Sequence, residues 1–399
     1  MSHTLKIYLL AVVSFMVATS EFVIAGILDK VAESAGVSVA AAGQLITVFS
    51  LAYAIGTPIA MLATAKMDRR KLLMLSLGIF ALGSATTLFL PGFGFLVMSR
   101  AILAIGTGVF FVTALTVASK LAPAGRQAGA IATVITGSSS ALIIGVPIGR
   151  VIAAAYDWKT LFWGIGLLSL VAMFAVARAI PSSEGEAPVP MKRQLALLKQ
   201  PKIAVALGVT FFWILGYSVL YTYVTPFLLD VTGMGESEVS AGLFAFGIAS
   251  LIGSKLGGFL TDRWGVPRTL LGGMGIHALA LALLSVAAGP AVAFPLLMVW
   301  AFAAWSSGPT QQFYLISLAP ESSSVMLSLN TSMLQFGMAA GAGIGGLVVK
   351  GASLHAVSWI GAAGVAAAGL AAAYSFYANR TRKAAATCPA METEAEYPA

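Results

Sequence analysis

"IYLLAVVSFMVATSEFVIAGIL", residues 7–28, carries a single charged residue, Glu21. A helix of about 20 mostly apolar residues spans the hydrocarbon core of a bilayer. The run is long and does not alternate with period two, so it reads as a membrane-crossing helix rather than a strand. The same reading repeats along the chain. Spans are expected near 5–28, 39–64, 72–90, 94–118, 127–150, 158–179, 203–229, 238–260, 267–288, 291–317, 323–349 and 354–377. Composition agrees: 59% of the 399 residues are hydrophobic and 10% charged, with a mean hydropathy of +0.92. Soluble domains carry about 25% charged residues. A soluble chain this apolar could not cover its own surface, which excludes a large soluble helical protein. The first run lacks a small-x-small cleavage site and is long enough to span, so it reads as the first span rather than a cleaved leader.

The net charge of +8 is spread through short gaps between apolar runs. It forms no basic cluster interleaved with aromatics, so no nucleic-acid partner is expected. Lys6, Lys66, Arg69, Arg70, Lys71, Lys120, Arg126, Arg178, Lys192, Arg193, Lys199, Lys202, Arg263, Arg268, Arg380, Arg382 and Lys383 fall on one side of the twelve spans. Lys30, Arg150, Lys159 and Lys350 fall on the other. Lys and Arg favour the cytoplasmic side, so both termini are expected in the cytoplasm, in a multi-pass protein of the inner membrane. The single cysteine, Cys388, permits no intramolecular disulfide.

The stretch "PSSEGEAPVPMKRQLALLKQP", 181–201, is the one long polar segment before the C-terminal tail. It divides the chain into an N-terminal bundle (1–180), a cytoplasmic linker (181–201), a C-terminal bundle (202–378) and a cytoplasmic polar tail (379–399). The halves echo each other: "MLATAKMDRRKLL" (61–73) follows span two, and "GFLTDRWGVPRTLL" (258–271) follows span eight. The expected fold is therefore an all-α membrane protein of twelve transmembrane helices in two six-helix bundles. Repeats of this kind suggest a secondary transporter with its site at the midplane between halves.

Four stretches carry a closer likeness. Gly258, Asp262, Arg263 and Gly265 form a glycine–acid–base turn; in the first-half copy Ala65 stands where the acid would be and Asp68 where the glycine would be. In "GSSSALIIGVPIGR" (137–150), Gly137, Ala141, Gly145 and Gly149 make a smooth ridge, and Pro147 removes a backbone donor. Arg100 lies inside span four, in "SRAILAIGTG". Spans seven, ten and eleven are dense in uncharged hydrogen-bonding and aromatic groups: Tyr217, Tyr221, Gln311, Gln312, Asn330, Thr331 and Gln335. With these features the chain resembles the major facilitator superfamily. Within it, the chain is most similar to the twelve-span drug:proton antiporters, and among those to bacterial purine base and nucleoside efflux pumps. The resemblance implies a conformational latch at Gly258, Asp262, Arg263 and Gly265, and an efflux-associated ridge at Gly145, Pro147 and Gly149. It also implies proton coupling through Arg100, and purine contacts by amides and tyrosines. Each has a plainer alternative: positive-inside topology, small-residue packing, an Arg reaching the interface, and hydrogen bonds that join helices.

Glu21 is the sharpest feature. A charge at mid-bilayer costs on the order of 3 kcal/mol. Glu21 lies about 22 Å of helix from Lys6, too deep for its short side chain to reach water easily. It should face a cavity, where loss of water favours the neutral acid. A carboxyl that loads and releases a proton as access alternates suits an antiporter, and the resemblance also places an acid in span one. The alternative is a structural partner for Arg100 or for a polar network. Lys255 is expected to snorkel, and His277 to pack.

These readings converge on a proton-coupled exporter of a small, largely neutral aromatic or polar solute, with a purine base or nucleoside first. A multidrug or sugar efflux antiporter, a proton-coupled importer, and a non-transporting sensor or scaffold are the alternatives. The expected partners are a small-molecule substrate, protons and the lipid bilayer, with a monomer sufficient. No cofactor is expected, the proton gradient being the energy source. No nucleotide-binding glycine loop, metal-ligand cluster or nucleophile–His pair marks an enzyme.

Overall fold

Side-chain caps start the first two long helices. Ser2 Oγ accepts from the Leu5 amide at 3.3 Å, and Ser38 Oγ from the Ala41 amide at 3.1 Å. Each satisfies a backbone donor that a helix start leaves unpaired. The computed structural model describes residues 2–89, 92–123, 126–183, 196–287 and 289–387. For 128, 323–324 and 379–387 it describes the backbone alone. Among the described residues, 12 helices are long and apolar enough to cross a membrane. They are α1 (His3–Gly26), α2 (Val39–Ala63), α3 (Arg69–Phe89), α4 (Phe93–Leu121), α5 (in three parts, below), α6 (Lys159–Ala179), α7 (Pro201–Tyr221), α8 (Glu236–Trp264), α9 (Val266–Leu284), α10 (Pro290–Leu318), α11 (Ser323–Gly351) and α12 (Leu354–Thr387).

Each expected span meets one helix, and the ends differ most at three places. Span seven was expected to run to 229, but α7 stops at Tyr221. The chain turns at Tyr223 and resumes as Val224–Pro226 and a wide turn over Phe227–Val231. Pro226 has no N–H to offer the preceding turn, so one backbone bond is missing where the helix is interrupted. Span five extends past 150. α5 is built of Gln127–Ser140, a wide turn Ala141–Gly145, and Val146–Ala155. The Val146 amide bonds to the Ala141 carbonyl, five residues back. Pro147 removes the next donor, and the wide turn absorbs the break. α12 runs on to Thr387, so the segment expected as a tail from 379 begins as helix. The rest of that tail (388–399) and 184–195 of the linker lie outside the described residues.

The core forms two large apolar clusters and a smaller third one around Ile203, Leu207, Leu315 and Met326. One apolar cluster runs from Ile7 to Ile180 and takes in Tyr223 from the second half. A second is built mainly from Val209 to Ala372 and borrows Ala25, Leu142 and Val146. The glycine ridges show how similarly the halves are made. A Cβ on Gly137 would collide with the Ala11 carbonyl, one on Gly145 with Thr19, and one on Gly149 with Val23. α5 thus lies against α1. In the second half a Cβ on Gly337 would sit 2.6 Å from the Phe211 carbonyl, and one on Gly345 2.9 Å from the Val219 carbonyl. α11 lies against α7 in the same way. Each ridge lets the fifth helix of a half approach the first closely, since lipid supplies no hydrophobic drive for helices to associate.

The halves meet toward the face opposite the termini. Among the described residues, the polar contacts that join them are Gln335 to Glu21, Thr225 to the Ala25 carbonyl, and Glu236 to both Arg150 and Lys30. All lie at the level of Glu21 or beyond it, away from the termini. Tyr223, fully buried, adds an apolar plug: it rests on Gly43 of α2 while its hydroxyl donates to the Ala342 carbonyl at 3.0 Å. The structure is closed on that face.

On the terminal face, Asp68 ties the linker to the first half. Its carboxylate accepts from Ser182 Oγ at 2.6 Å, the Ser183 amide at 2.7 Å and the Lys71 amide at 3.0 Å. The Arg69 amide returns a bond to the Ser183 carbonyl at 2.9 Å. Partial burial alone would raise the Asp68 pKa, but the Ser182 hydroxyl and the backbone amides of Lys71, Ser183 and Arg70 outweigh it and hold the carboxyl below its ordinary range. A lowered carboxyl pKa stabilises this corner at and above the ordinary carboxylate range, and the contribution is lost as pH falls through the lowered value. Asp68→Asn is expected to speed hydrogen exchange at the Ser183 and Lys71 amides several-fold at neutral pH. Protection unchanged in the variant would show that the carboxylate does not anchor the corner.

Candidate functional site

α1 delivers Glu21, Phe22 and Ala25 to a small cavity between the halves. α2 adds Leu45, Ile46, Phe49 and Ser50; α4 adds Arg100; α7 adds Tyr221; and α11 adds Met338. Glu21 is partly exposed there. Gln335 Nε2 of α11 donates to Glu21 Oε1 at 3.1 Å, across the half boundary. A neutral amide beside the carboxyl serves it whether or not it carries a proton, because the acceptor oxygen remains in either state.

Arg100 is 2% exposed, which rules out a side chain reaching the interface. Its NH1 donates to the Ser20 carbonyl at 3.1 Å, and the guanidinium lies 4.6 Å from the centre of the Phe162 ring. A cation over an aromatic face is stabilised without a counter-ion. Arg100 and Glu21 therefore line one cavity, but Arg100 bonds the backbone next to Glu21 rather than its carboxylate. Of the alternatives for Glu21, the bond to Arg100 is not the arrangement found, whereas the contact with Gln335 is a polar one of the kind the other alternative names.

The aromatic and amide candidates separate into two groups. Tyr221 faces the cavity and stacks on Tyr217, with ring centres 4.9 Å apart and planes 20° apart. Tyr217 stands one turn deeper, packed beside Phe246, Trp300 and Trp305. Gln335 reaches the cavity through Glu21. Gln311 and Asn330 do not line it. Gln311 Nε2 donates to the Ala206 carbonyl at 2.6 Å and to Thr210 Oγ1 at 3.0 Å, and Thr210 donates to Asn330 Oδ1 at 2.8 Å. This chain of bonds ties α10 and α11 to α7, the helix-joining role weighed as the alternative. Gln312, the neighbour of Gln311, points to the exposed side of α10. His277 packs as expected, accepting from Trp300 Nε1 at 2.9 Å. A second hollow between α5, α8 and α10 is lined by Ser139, Ser250, Ser254 and Trp305, with apolar neighbours.

The conformational candidates also have definite places. Gly145 and Gly149 pack on α1, and Pro147 follows the wide turn of α5. Gly258 has nothing within 4 Å of an added Cβ, so close packing does not require glycine there. Asp262 and Arg263 are exposed. Among the described residues, the turn expected to form a latch makes no ion pair. Gly265 ends α8 and begins α9 with φ 78°, ψ 162°, a backbone that side-chain-bearing residues rarely adopt.

Sequence reasoning does not single out the lining contributed by Phe49, Ser50 and Met338. Nor does it single out the charged cluster of Asp29, Lys30, Arg150 and Glu236 on the closed face, where Arg150 reads as a topological charge alone. The signal available was an arginine at the end of an apolar helix, opposite two acids in short loops of the same face.

Comparison with known proteins agrees with this architecture. The profile of the Major Facilitator Superfamily matches residues 10–342. An uncharacterized MFS-type transporter of Bacillus subtilis (strain 168), YbcL, is 54% identical over 366 residues, covering 92% of this chain and 94% of that protein. Among solved structures, a bacterial homolog of the human lysosomal transporter Spinster, inward-facing and unoccupied, is similar with a TM-score of 0.72 at 18% identity. It covers 95% of this chain and 97% of that one. The occupied inward-facing form of the same homolog gives a TM-score of 0.73 at 16% identity, with the same coverage. At such identities these structures speak for the fold alone. The twelve spans, the paired halves, the profile match and the Bacillus relative together place this chain in the major facilitator superfamily, as a multi-pass membrane transporter and not an enzyme.

Proposed function

We propose that the chain exports a small, largely neutral aromatic or polar solute in exchange for protons by alternating access, with a purine base or nucleoside as the first choice. The observation that carries the reading is the cavity itself. It holds one carboxyl, Glu21, and one guanidinium, Arg100, among otherwise uncharged side chains, and Gln335 of the other half bonds the carboxyl. Tyr221 and Phe49 offer ring faces for a flat substrate, and Ser50 with Gln335 offers hydrogen bonds to its edge. On this reading the purine contacts narrow to Tyr221 and Gln335, with Tyr217 behind Tyr221.

The efflux direction is supported by the resemblance of the α5 ridge to the antiporter motif. The Lys and Arg bias supports an inner-membrane protein with both termini in the cytoplasm. In that orientation the closed face is periplasmic. One chain encloses the cavity between its own halves, so a monomer suffices. Membrane electrochemistry drives the exchange without a bound cofactor.

The test is uptake into inside-out vesicles with an imposed gradient, acid inside, using labelled hypoxanthine, adenosine, a disaccharide and a lipophilic cation. Purine accumulation that collapses with the gradient is the expected result. Accumulation of the cation or the sugar alone moves the reading to drug or sugar efflux. Purine accumulation that requires the opposite gradient makes the protein an importer. Absence of transport for ligands that bind makes it a sensor.

A further inference from the structure

We propose that Arg150 and Glu236 form the bond that holds the halves shut on the face opposite the termini, and that each transport cycle breaks it. The inference uses alternating access but neither the purine nor the proton.

Arg150 is fully buried at the far end of α5. Its NH1 bonds Asp29 and lies 3.4 Å from the Gly26 carbonyl, and its NH2 bonds Glu236. Lys30 Nζ completes the cluster, 3.0 Å from Glu236 Oε1. Two cations and two carboxylates balance. Asp29, Lys30 and Arg150 all belong to the first half. Glu236, in the first turn of α8, comes from the second. The cluster therefore crosses the half boundary through one side chain.

The asymmetry is what allows the bond to open. Stranding a buried charge without a partner is strongly destabilising. When the halves part, Arg150 keeps Asp29 and the Gly26 carbonyl, so it is not stranded. The Glu236 side chain is already 47% exposed and moves into water. There the N-terminus of α8 favours its negative charge. Glu238, which accepts from the Gly235 amide at 2.8 Å, keeps the start of α8 intact. The pair thus favours closure, yet neither partner forbids opening. A cluster that only stapled the fold would need no such arrangement for the departing group.

The test is thiol accessibility in the full chain, with Cys388→Ser to remove the one native thiol and Ile46→Cys to report from the central cavity. A membrane-impermeant maleimide is added from each face in turn. With Glu236 intact, labelling is expected mainly from the face of the termini. Glu236→Gln is expected to raise labelling from the opposite face several-fold and to lower it from the terminal face. Glu236→Asp should restore most of the original ratio. Asp29→Asn removes a charge from the same cluster without cutting the bond between halves, and should change the ratio less. An unchanged ratio in Glu236→Gln overturns the proposal, as does an equal or larger shift in Asp29→Asn. Because Glu236 is half exposed, its substitution tests the bond without emptying the buried Arg150 site.

Discussion

Glu21→Gln is expected to reduce gradient-driven accumulation to simple equilibration while leaving substrate binding and exchange of substrate for substrate in place. Glutamine keeps the size of the side chain and an acceptor oxygen for Gln335, so the contact across the halves survives. What it removes is the ability to carry a proton. A gradient of about two pH units supplies roughly 2.7 kcal/mol per proton, enough for a concentration ratio near 100-fold in one-for-one exchange. The variant should lose that whole ratio. The measurement is accumulation and counterflow in the same vesicles, wild type beside Glu21→Gln. Gradient-driven accumulation at the wild-type level would take the proton away from Glu21 and leave it a structural partner of Gln335. Loss of counterflow as well would assign Glu21 to substrate binding.

The second large effect is mechanical. A Cβ at Gly137 would be driven into the Ala11 backbone carbonyl, and a helix backbone cannot yield as a flexible side-chain end can. Gly137→Ala is expected to cost about 1–3 kcal/mol, the usual range for overpacking a close contact. Gly129 lies two turns earlier on the same helix, with nothing within 4 Å of an added Cβ. There Gly→Ala is expected to stabilise by about 0.5–1 kcal/mol, because alanine loses less backbone freedom in a helix. Thermal unfolding of the purified variants should therefore move in opposite directions. By the repeat, Gly337→Ala should resemble Gly137→Ala, since its Cβ would sit 2.6 Å from the Phe211 carbonyl. A Gly137→Ala protein as stable as wild type would show that α1 and α5 are not held at this spacing.

The motif residues show where reading the chain succeeds and stops. The Gly137, Gly145 and Gly149 ridge was visible as spacing, but its partner was not; the folded chain places it on α1, inside its own half. The glycines Gly337, Gly341 and Gly345 of α11 form a similar ridge, and it lies on α7 by the same rule. Gln311, Gln312, Asn330 and Gln335 looked alike as amides in polar-rich helices. Folding sends Gln311 and Asn330 to bonds with α7, Gln312 to the exposed side, and Gln335 to Glu21. Helical spacing says which residues share a face. It does not say which neighbour that face meets.

Span number, the two halves and the isolated carboxyl of α1 were therefore legible in the chain alone. They depend on run length, on the cost of charge in hydrocarbon and on repeated loop composition, all of which are local. The partner of Glu21, the backbone bond of Arg100 and the closing pair of Arg150 and Glu236 were decided only by tertiary structure. Gln335 stands 314 residues from Glu21, and Glu236 stands 86 from Arg150. Separations of that kind are brought together by the docking of two bundles, and neither composition nor periodicity encodes the docking in any single stretch.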